Sequence, residues 1–257
     1  MFKISIEASE IEQMPLGAFP GEIQIIDKSG LEYDKAVFYL RRQKVLGFDT
    51  ESRPVFSPGQ QGHGVALLQL SGPKKAFLFR VQLLGMRKSL CGILSNKNII
   101  KVGAASGDDV RGLQRLGDFK PAGFVDLQKI AWEWGIRDKS VKKLAANILG
   151  CRISKAQQLS NWEAKELSPS QCKYAATDAW VCREMYLKLL ESEKHPLTPE
   201  EIMPPQERLA HEQALARKEA NIQAEKARAN TSKRKKKSRH KKKKKTDGKS
   251  NSEKGQG

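Results

Sequence analysis

Asp49 and Glu51 stand two residues apart at the end of Lys44-Val45-Leu46-Gly47-Phe48-Asp49-Thr50-Glu51, an apolar run that reads as a strand. Side chains alternate along a strand, so both carboxylates leave the same face. Two acids held side by side next to buried Leu46 and Phe48 repel each other, and a cation relieves that repulsion. A solvated acidic pair at a strand end is the plainer alternative. A second pair, Tyr174 and Asp178, lies four residues apart in Leu167-Ser168-Pro169-Ser170-Gln171-Cys172-Lys173-Tyr174-Ala175-Ala176-Thr177-Asp178-Ala179-Trp180. On a helix they sit one turn above each other, where a phenol and a carboxylate can serve one site. A core tyrosine above a solvent-facing aspartate is the plainer alternative here. Asp109 opens a helix directly after an apolar strand, where the helix macrodipole favours a carboxylate. That placement is also a sufficient structural reason for it, and Asp108 competes for the same role.

Hard oxygen ligands of this kind suit Mg²⁺ or Mn²⁺, which keep several waters and bind phosphates as well. Two such ions roughly 4 Å apart can activate a water on one side of a phosphodiester and stabilise the leaving oxygen on the other. The protein then has to supply three or four carboxylates and a group that orients the water. Tyr174 is placed for that second task.

The elements that must position these residues are legible in outline. Ser168, Pro169 and Gln171 read as N-cap, first-turn proline and capping-box partner of a helix running from Pro169 to Glu191. The small Ala175-Ala176-Thr177 lets that helix pack closely. Glu22–Ile26, Val65–Leu70 and Ala76–Val81 read as further strands, and Ser71-Gly72-Pro73 suits an antiparallel hairpin. Helical spacing covers Glu7–Gln13, Asp34–Arg42, Leu84–Leu94, a helix opened by Asp108-Asp109 and closed by Gly117, Lys129–Trp134 and Ser140–Leu149. Asn98–Ala104 and Gly123–Leu127 return to strand. Strands in sequence, then helix and strand alternating, then helices, predict an α/β fold with a mixed sheet covered by helices.

The chain has 257 residues and a net charge of +18, unevenly spread. Residues 206–257 hold 18 Lys/Arg against 6 Asp/Glu, a surplus of 12, and eleven of the thirteen residues from Lys233 to Lys245 are Lys or Arg. Three regions are expected: a folded domain at 1–198, a polar and helix-prone linker at 199–230, and a disordered basic tail at 231–257. Such a tail binds phosphates without sequence preference, or addresses the chain to a nucleus where the host has one. Cys91, Cys151, Cys172 and Cys182 form no Cys-x-x-Cys pair, which is the usage of a reducing compartment. No signal peptide or membrane-length apolar run is visible, so the chain reads as soluble and intracellular.

Asp49-Thr50-Glu51, Asp109 within Lys101–Leu116, and Tyr174-Ala175-Ala176-Thr177-Asp178 resemble the three motifs of DEDDy-type 3′–5′ exonucleases. Gln69 within Val65–Leu70, Lys101-Val102-Gly103 and Asn161-Trp162 fit the same pattern, which spans about residues 20–192. The chain is most similar to the stand-alone bacterial type within the Werner-exonuclease-like and ribonuclease D superfamily. The loop Ser52–Phe56 lacks the tryptophan that some relatives carry after the acid, and the C-terminal helical domains of ribonuclease D have no counterpart in the polar tail. The resemblance implies a ribonuclease H-like fold, two Mg²⁺ or Mn²⁺ ions, and release of 5′-mononucleotides from single-stranded 3′ ends of DNA or RNA. It also implies roles. Asp49, Glu51 and Asp178 would hold one ion, Asp49 would bridge to a second, and Asp109 would reach that second ion through its water shell. Asp109 is selected over Asp108 because Leu113, four residues on, matches the family spacing. Tyr174 would orient the attacking water. A bacterial cytoplasm is the implied location. The contrasting reading is a nucleic-acid-binding protein that keeps the nuclease fold and basic tail without the activity.

Overall fold

In the computed structural model, which describes residues 1–55, 62–203 and 206–223, the chain forms two units, Met1–Ile202 and Met203–Gly257. The first unit begins with α1 (Ala8–Glu12), β1 (Glu22–Ile26), α2 (Leu31–Arg41), β2 (Val45–Ser52), β3 (Val65–Ser71) and β4 (Lys75–Phe79). Short helices α3 (Val81–Leu84) and α4 (Lys88–Leu94) lead to β5 (Ile100–Gly103), α5 (Gly107–Gln114) and β6 (Phe124–Asp126). Then follow α6 (Leu127–Ile130), a 3-10 turn (Ala131–Trp134), α7 (Val141–Leu149), α8 (Pro169–Leu190) and α9 (Pro199–Ile202). In the second unit residues 206–223 are helical, and Leu209, Leu215 and Ile222 are exposed, as expected of a solvated helix. The tail expected at 231–257 lies outside the described residues. No helix among the described residues is long and apolar enough to cross a membrane.

The six strands make one mixed sheet in the order β1-β4-β3-β2-β5-β6. β2, β3 and β4 are antiparallel neighbours, β3 and β4 joined through the predicted turn after Ser71, while β1, β5 and β6 add in parallel at the two sides. The period-2 pattern sends Leu46, Phe48, Leu68, Leu70, Phe77 and Phe79 into one core beneath α2 and α4. Leu67 and Leu78 enter a second core on the opposite face, with Phe19, Trp162, Ala175 and Ala176. Covered on both faces, β3 is buried along its whole length, which is why it reads as a nearly continuous apolar run.

α8 sets the geometry of that second face. Its start is fixed by the capping box: Gln171 N donates to Ser168 Oγ at 3.2 Å and Ser168 N donates to Gln171 Oε1 at 2.9 Å. Ala175, Ala176 and Ala179 are fully buried, so the helix backbone comes down onto the sheet. At Gly47 in β2 a Cβ would lie 1.8 Å from the Ala179 carbonyl oxygen, so any larger residue there would lift the helix off the strand. The segment before β1 straps the other side: Phe19 N donates to Thr177 Oγ1 at 3.0 Å, and Lys173 Nζ donates to Phe19 O at 2.8 Å.

Two helices expected to be continuous are not. Leu84–Leu94 is divided at Gly85, whose φ of +71° ends α3 before α4 begins, and Val81 starts α3 rather than ending a strand. Lys129–Trp134 is split as well. The helix starts earlier, at Leu127, because Asp126 caps it through Gln128 N, and it tightens into the 3-10 turn that Gly135 stops at φ +79°.

Candidate active site

β2 delivers Asp49 and Glu51 at its end, on the face that α8 covers, and α8 delivers Asp178 to the same place. One carboxylate oxygen from each of these three residues lies within 4.8 Å of the other two. The pairing of β2 with β3 shifts register between Glu51 and Ser52, an irregularity of the kind that re-aims side chains at strand ends. The Tyr174 hydroxyl lies beside the Asp178 carboxylate one turn along the helix, near enough to influence its protonation. Behind that phenol the Trp162 ring packs at a centroid distance of 6.0 Å.

Asp109 stands apart from this trio. It occupies the first turn of α5, where Thr50 Oγ1 donates to its Oδ1 at 2.5 Å, so the residue between Asp49 and Glu51 tethers it from the sheet's other face. Its charge still reaches both of those acids. Asp108 points away: its side chain is 89% exposed and pairs with Arg111.

Burial pushes every one of these groups toward its neutral form, and repulsion within the site adds to it at Asp49, Glu51 and Tyr174. Asp49 is raised well above the usual carboxylate range by burial, then by Asp178 and Asp109. Glu51 is raised to about 10 by burial, then by Asp49, Asp178 and Asp109. Burial raises Asp178 to about 7, opposed by the Tyr174 hydroxyl and the Lys155 ammonium. Asp109 is also raised by burial, against the hydrogen bond from Thr50. The Tyr174 phenol is raised by burial and by the acids around it. So much converging negative charge, all on oxygen, is the donor set that hard divalent cations take.

Asp49, Glu51, Asp178 and Tyr174 line a cavity of about 330 Å³, and Asp109 lies outside its lining. The same cavity is lined by Ser140, Lys142, Ser154, Lys155 and Gln158, which sequence reasoning missed. Lys142 follows the α7 N-cap Ser140, and the other three lie in a stretch between α7 and α8 with no hydrophobic period, so no pattern singled them out. A cavity lined by three carboxylates and by two lysines suits a phosphate held over cations.

Comparison with known proteins places the chain. Residues 24–192 match the sequence profile of a family described as 3′-5′ exonuclease. Over 203 residues, 73% of this chain, it is 32% identical to the bifunctional 3′-5′ exonuclease/ATP-dependent helicase WRN of Mus musculus, and that match covers 14% of the mouse protein. Against ribonuclease D of Gluconacetobacter diazotrophicus it is 30% identical over 156 residues, which is 59% of this chain and 38% of the relative. The chain thus spans well under half the length of these relatives. The structure of Trypanosoma brucei RNase D in complex with RNA U12 superposes with a TM-score of 0.56 at 22% identity, covering 72% of this chain and 65% of that one. Escherichia coli RNase D gives 0.59 at 22% identity, over 66% of this chain and 44% of that one. The mixed sheet flanked by helices is the ribonuclease H-like fold of these enzymes. From residue 24 to residue 192, with Asp49, Glu51 and Asp178 gathered in one cluster, this chain belongs to the 3′-5′ exonuclease family.

Proposed function

We propose that the domain is a two-metal-ion 3′–5′ exonuclease that hydrolyses the terminal phosphodiester at a single-stranded 3′ end of DNA or RNA and releases 5′-mononucleotides. The observation that carries the reading is the trio Asp49, Glu51 and Asp178, with oxygens within 4.8 Å of one another and a tyrosine hydroxyl beside them. Asp49, Glu51 and Asp178 would hold one Mg²⁺ or Mn²⁺. Asp49 would bridge to a second, which Asp109 would reach through water. When bound, such ions supply activation of a water nucleophile and stabilisation of the leaving oxygen. The chain's own residues do the rest. The Tyr174 hydroxyl, beside Asp178, orients the water, and Lys142 and Lys155, which line the same cavity, hold the substrate's phosphates. The Lys/Arg run from Lys233 to Lys245 would add sequence-independent phosphate contacts.

The test is an oligonucleotide labelled at its 5′ end and incubated with the full chain and Mn²⁺ or Mg²⁺. A ladder shortening from the 3′ end, abolished by EDTA and by a blocked 3′ end, is the expected result. Intact oligonucleotide under all conditions would overturn the proposal and leave a binding protein on a nuclease fold.

Two further outcomes follow from the roles. Tyr174→Phe removes only the hydroxyl, so Mn²⁺ binding measured by calorimetry is retained while turnover falls about 10²-fold, the low end for an oriented catalytic group. Normal turnover would make Tyr174 a packing residue against Trp162. Asp109→Asn lowers turnover far more than Asp108→Asn, because Asp109 faces the site through Thr50 whereas Asp108 faces solvent. Side-by-side rates for the two variants check this, and the reverse ranking would contradict it.

A further inference from the structure

Gln69 is fully buried in β3, yet neither its Oε1 nor its Nε2 has a hydrogen-bond partner. Buried amides left in this state are rare, since they have given up water without replacing it. Among the described residues the other buried side-chain polar atom in this condition is Trp162 Nε1, whose ring packs against Tyr174. The polar atoms that the fold leaves unsatisfied therefore all belong to residues at the back of the carboxylate site. The cross-strand neighbours of Gln69 are Asp49 on β2 and Leu78 on β4, and only Asp49 has a polar side chain. Residues in direct register have Cβ atoms about 5 Å apart, and strand alternation puts both side chains on the face that α8 covers. The nearby Ser71 hydroxyl is already committed, donating to Gly72 O at 3.0 Å.

We propose that Gln69 is a positioning residue for Asp49: its side-chain N–H donates to the Asp49 oxygen turned away from the bound cations and fixes that carboxylate in its ligating orientation. The idea rests on the reading of the trio as a divalent cation site. In that reading Asp49 is one of the residues that would hold the cations, so its orientation would govern their affinity. An amide is suited to the task. It donates without adding charge to an already crowded acidic site. Outer partners of this kind typically change metal affinity by about 10–100-fold.

The decisive variant is Gln69→Met, similar in length and volume but apolar, measured on the full chain. Three results are expected. In EDTA the variant melts at or above the wild-type temperature, because a buried group with no partner has been removed. By calorimetry its Mn²⁺ dissociation constant rises about 10–100-fold. With Mn²⁺ saturating, kcat on a short oligonucleotide falls while KM stays within about twofold of wild type. Leu78→Met, on the other cross-strand neighbour, controls for packing and leaves Mn²⁺ affinity unchanged. Equal Mn²⁺ affinity in wild type and Gln69→Met would overturn the proposal, and so would a metal-free variant that is less stable or insoluble, since either makes Gln69 a purely structural residue. Wild type that binds no Mn²⁺ overturns it at an earlier step, by removing the cation site itself.

Discussion

Asp178→Asn stops nucleotide release and, in metal-free solution, leaves the protein more stable than the wild type. The two effects have one cause. Asp178 shares its site with Asp49 and Glu51, and its negative charge helps to push both of them toward their neutral forms. Replacing it with the nearly isosteric amide removes that repulsion while keeping an oxygen for the Tyr174 hydroxyl. A gain of about 1 kcal/mol corresponds to a melting temperature some 2–4 °C higher for a domain of this size. The same change takes away one of three carboxylates that would hold the cation, so activity with Mg²⁺ or Mn²⁺ falls to background. Melting in EDTA and release from a labelled oligonucleotide check the two halves separately. Loss of activity with a lower melting temperature would indicate a damaged fold, and retained activity would refute the ligand assignment.

Metal-free protein becomes less stable as pH rises from about 4 to about 10, and saturating Mg²⁺ or Mn²⁺ flattens that dependence. The sign follows from the raised acids. Asp178, raised to about 7, and Glu51, raised to about 10, keep their protons in the folded chain where the unfolded chain has lost them. Their contribution is therefore fully present below the unfolded values near 4, and is lost as pH climbs through about 7 and then about 10. Asp178 alone, after a discount for residual solvent contact, contributes roughly 3 kcal/mol between pH 4 and pH 7, or about 6–12 °C in melting temperature. The acids shifted the other way are Glu10 and Glu22, surface partners of lysines, and Glu163, held by Gln82 with His63 and Arg53 nearby; all three are near solvent and screened. A cation competes with these protons, so its stabilising effect grows with pH. Thermal melts across this range, with EDTA and with Mn²⁺, measure both trends. A flat EDTA curve would mean that the carboxylates are not coupled as the geometry indicates.

What could be read from the sequence and what could not divide along physical lines. The Asp49–Glu51 pair was legible because strand alternation fixes which face two residues share. The Tyr174–Asp178 pair was legible because the Ser168–Gln171 capping box fixes where α8 starts. Sheet and cover followed from the order of apolar runs. One interruption was missed where a single glycine, Gly85, takes a positive φ inside helical spacing, and another where the helix from Leu127 tightens into a 3-10 turn at Ala131. The cavity residues Lys142, Lys155 and Gln158 were missed for a different reason. The stretch between α7 and α8 is held by contacts far apart in sequence. Leu16 bridges Arg152, Arg80 Nη1 donates to Lys165 O at 2.6 Å, and Gln82 Nε2 donates to Glu163 Oε1 at 2.8 Å. None of these leaves a local period. Gln69 was noticed as part of a family pattern, but its missing partners exist only in three dimensions.

The most direct measurement of the central claim is where a water oxygen goes. Digesting an oligonucleotide in ¹⁸O-labelled water with Mn²⁺, and weighing the released nucleotides by mass spectrometry, reports both the bond broken and the direction of attack. Hydrolysis by a water oriented at Tyr174, over cations held by Asp49, Glu51 and Asp178, predicts 5′-mononucleotides released from the 3′ end, each with one ¹⁸O in its phosphate, and none from Asp49→Asn. Internal fragments, 3′-phosphorylated products or unlabelled mononucleotides would contradict it.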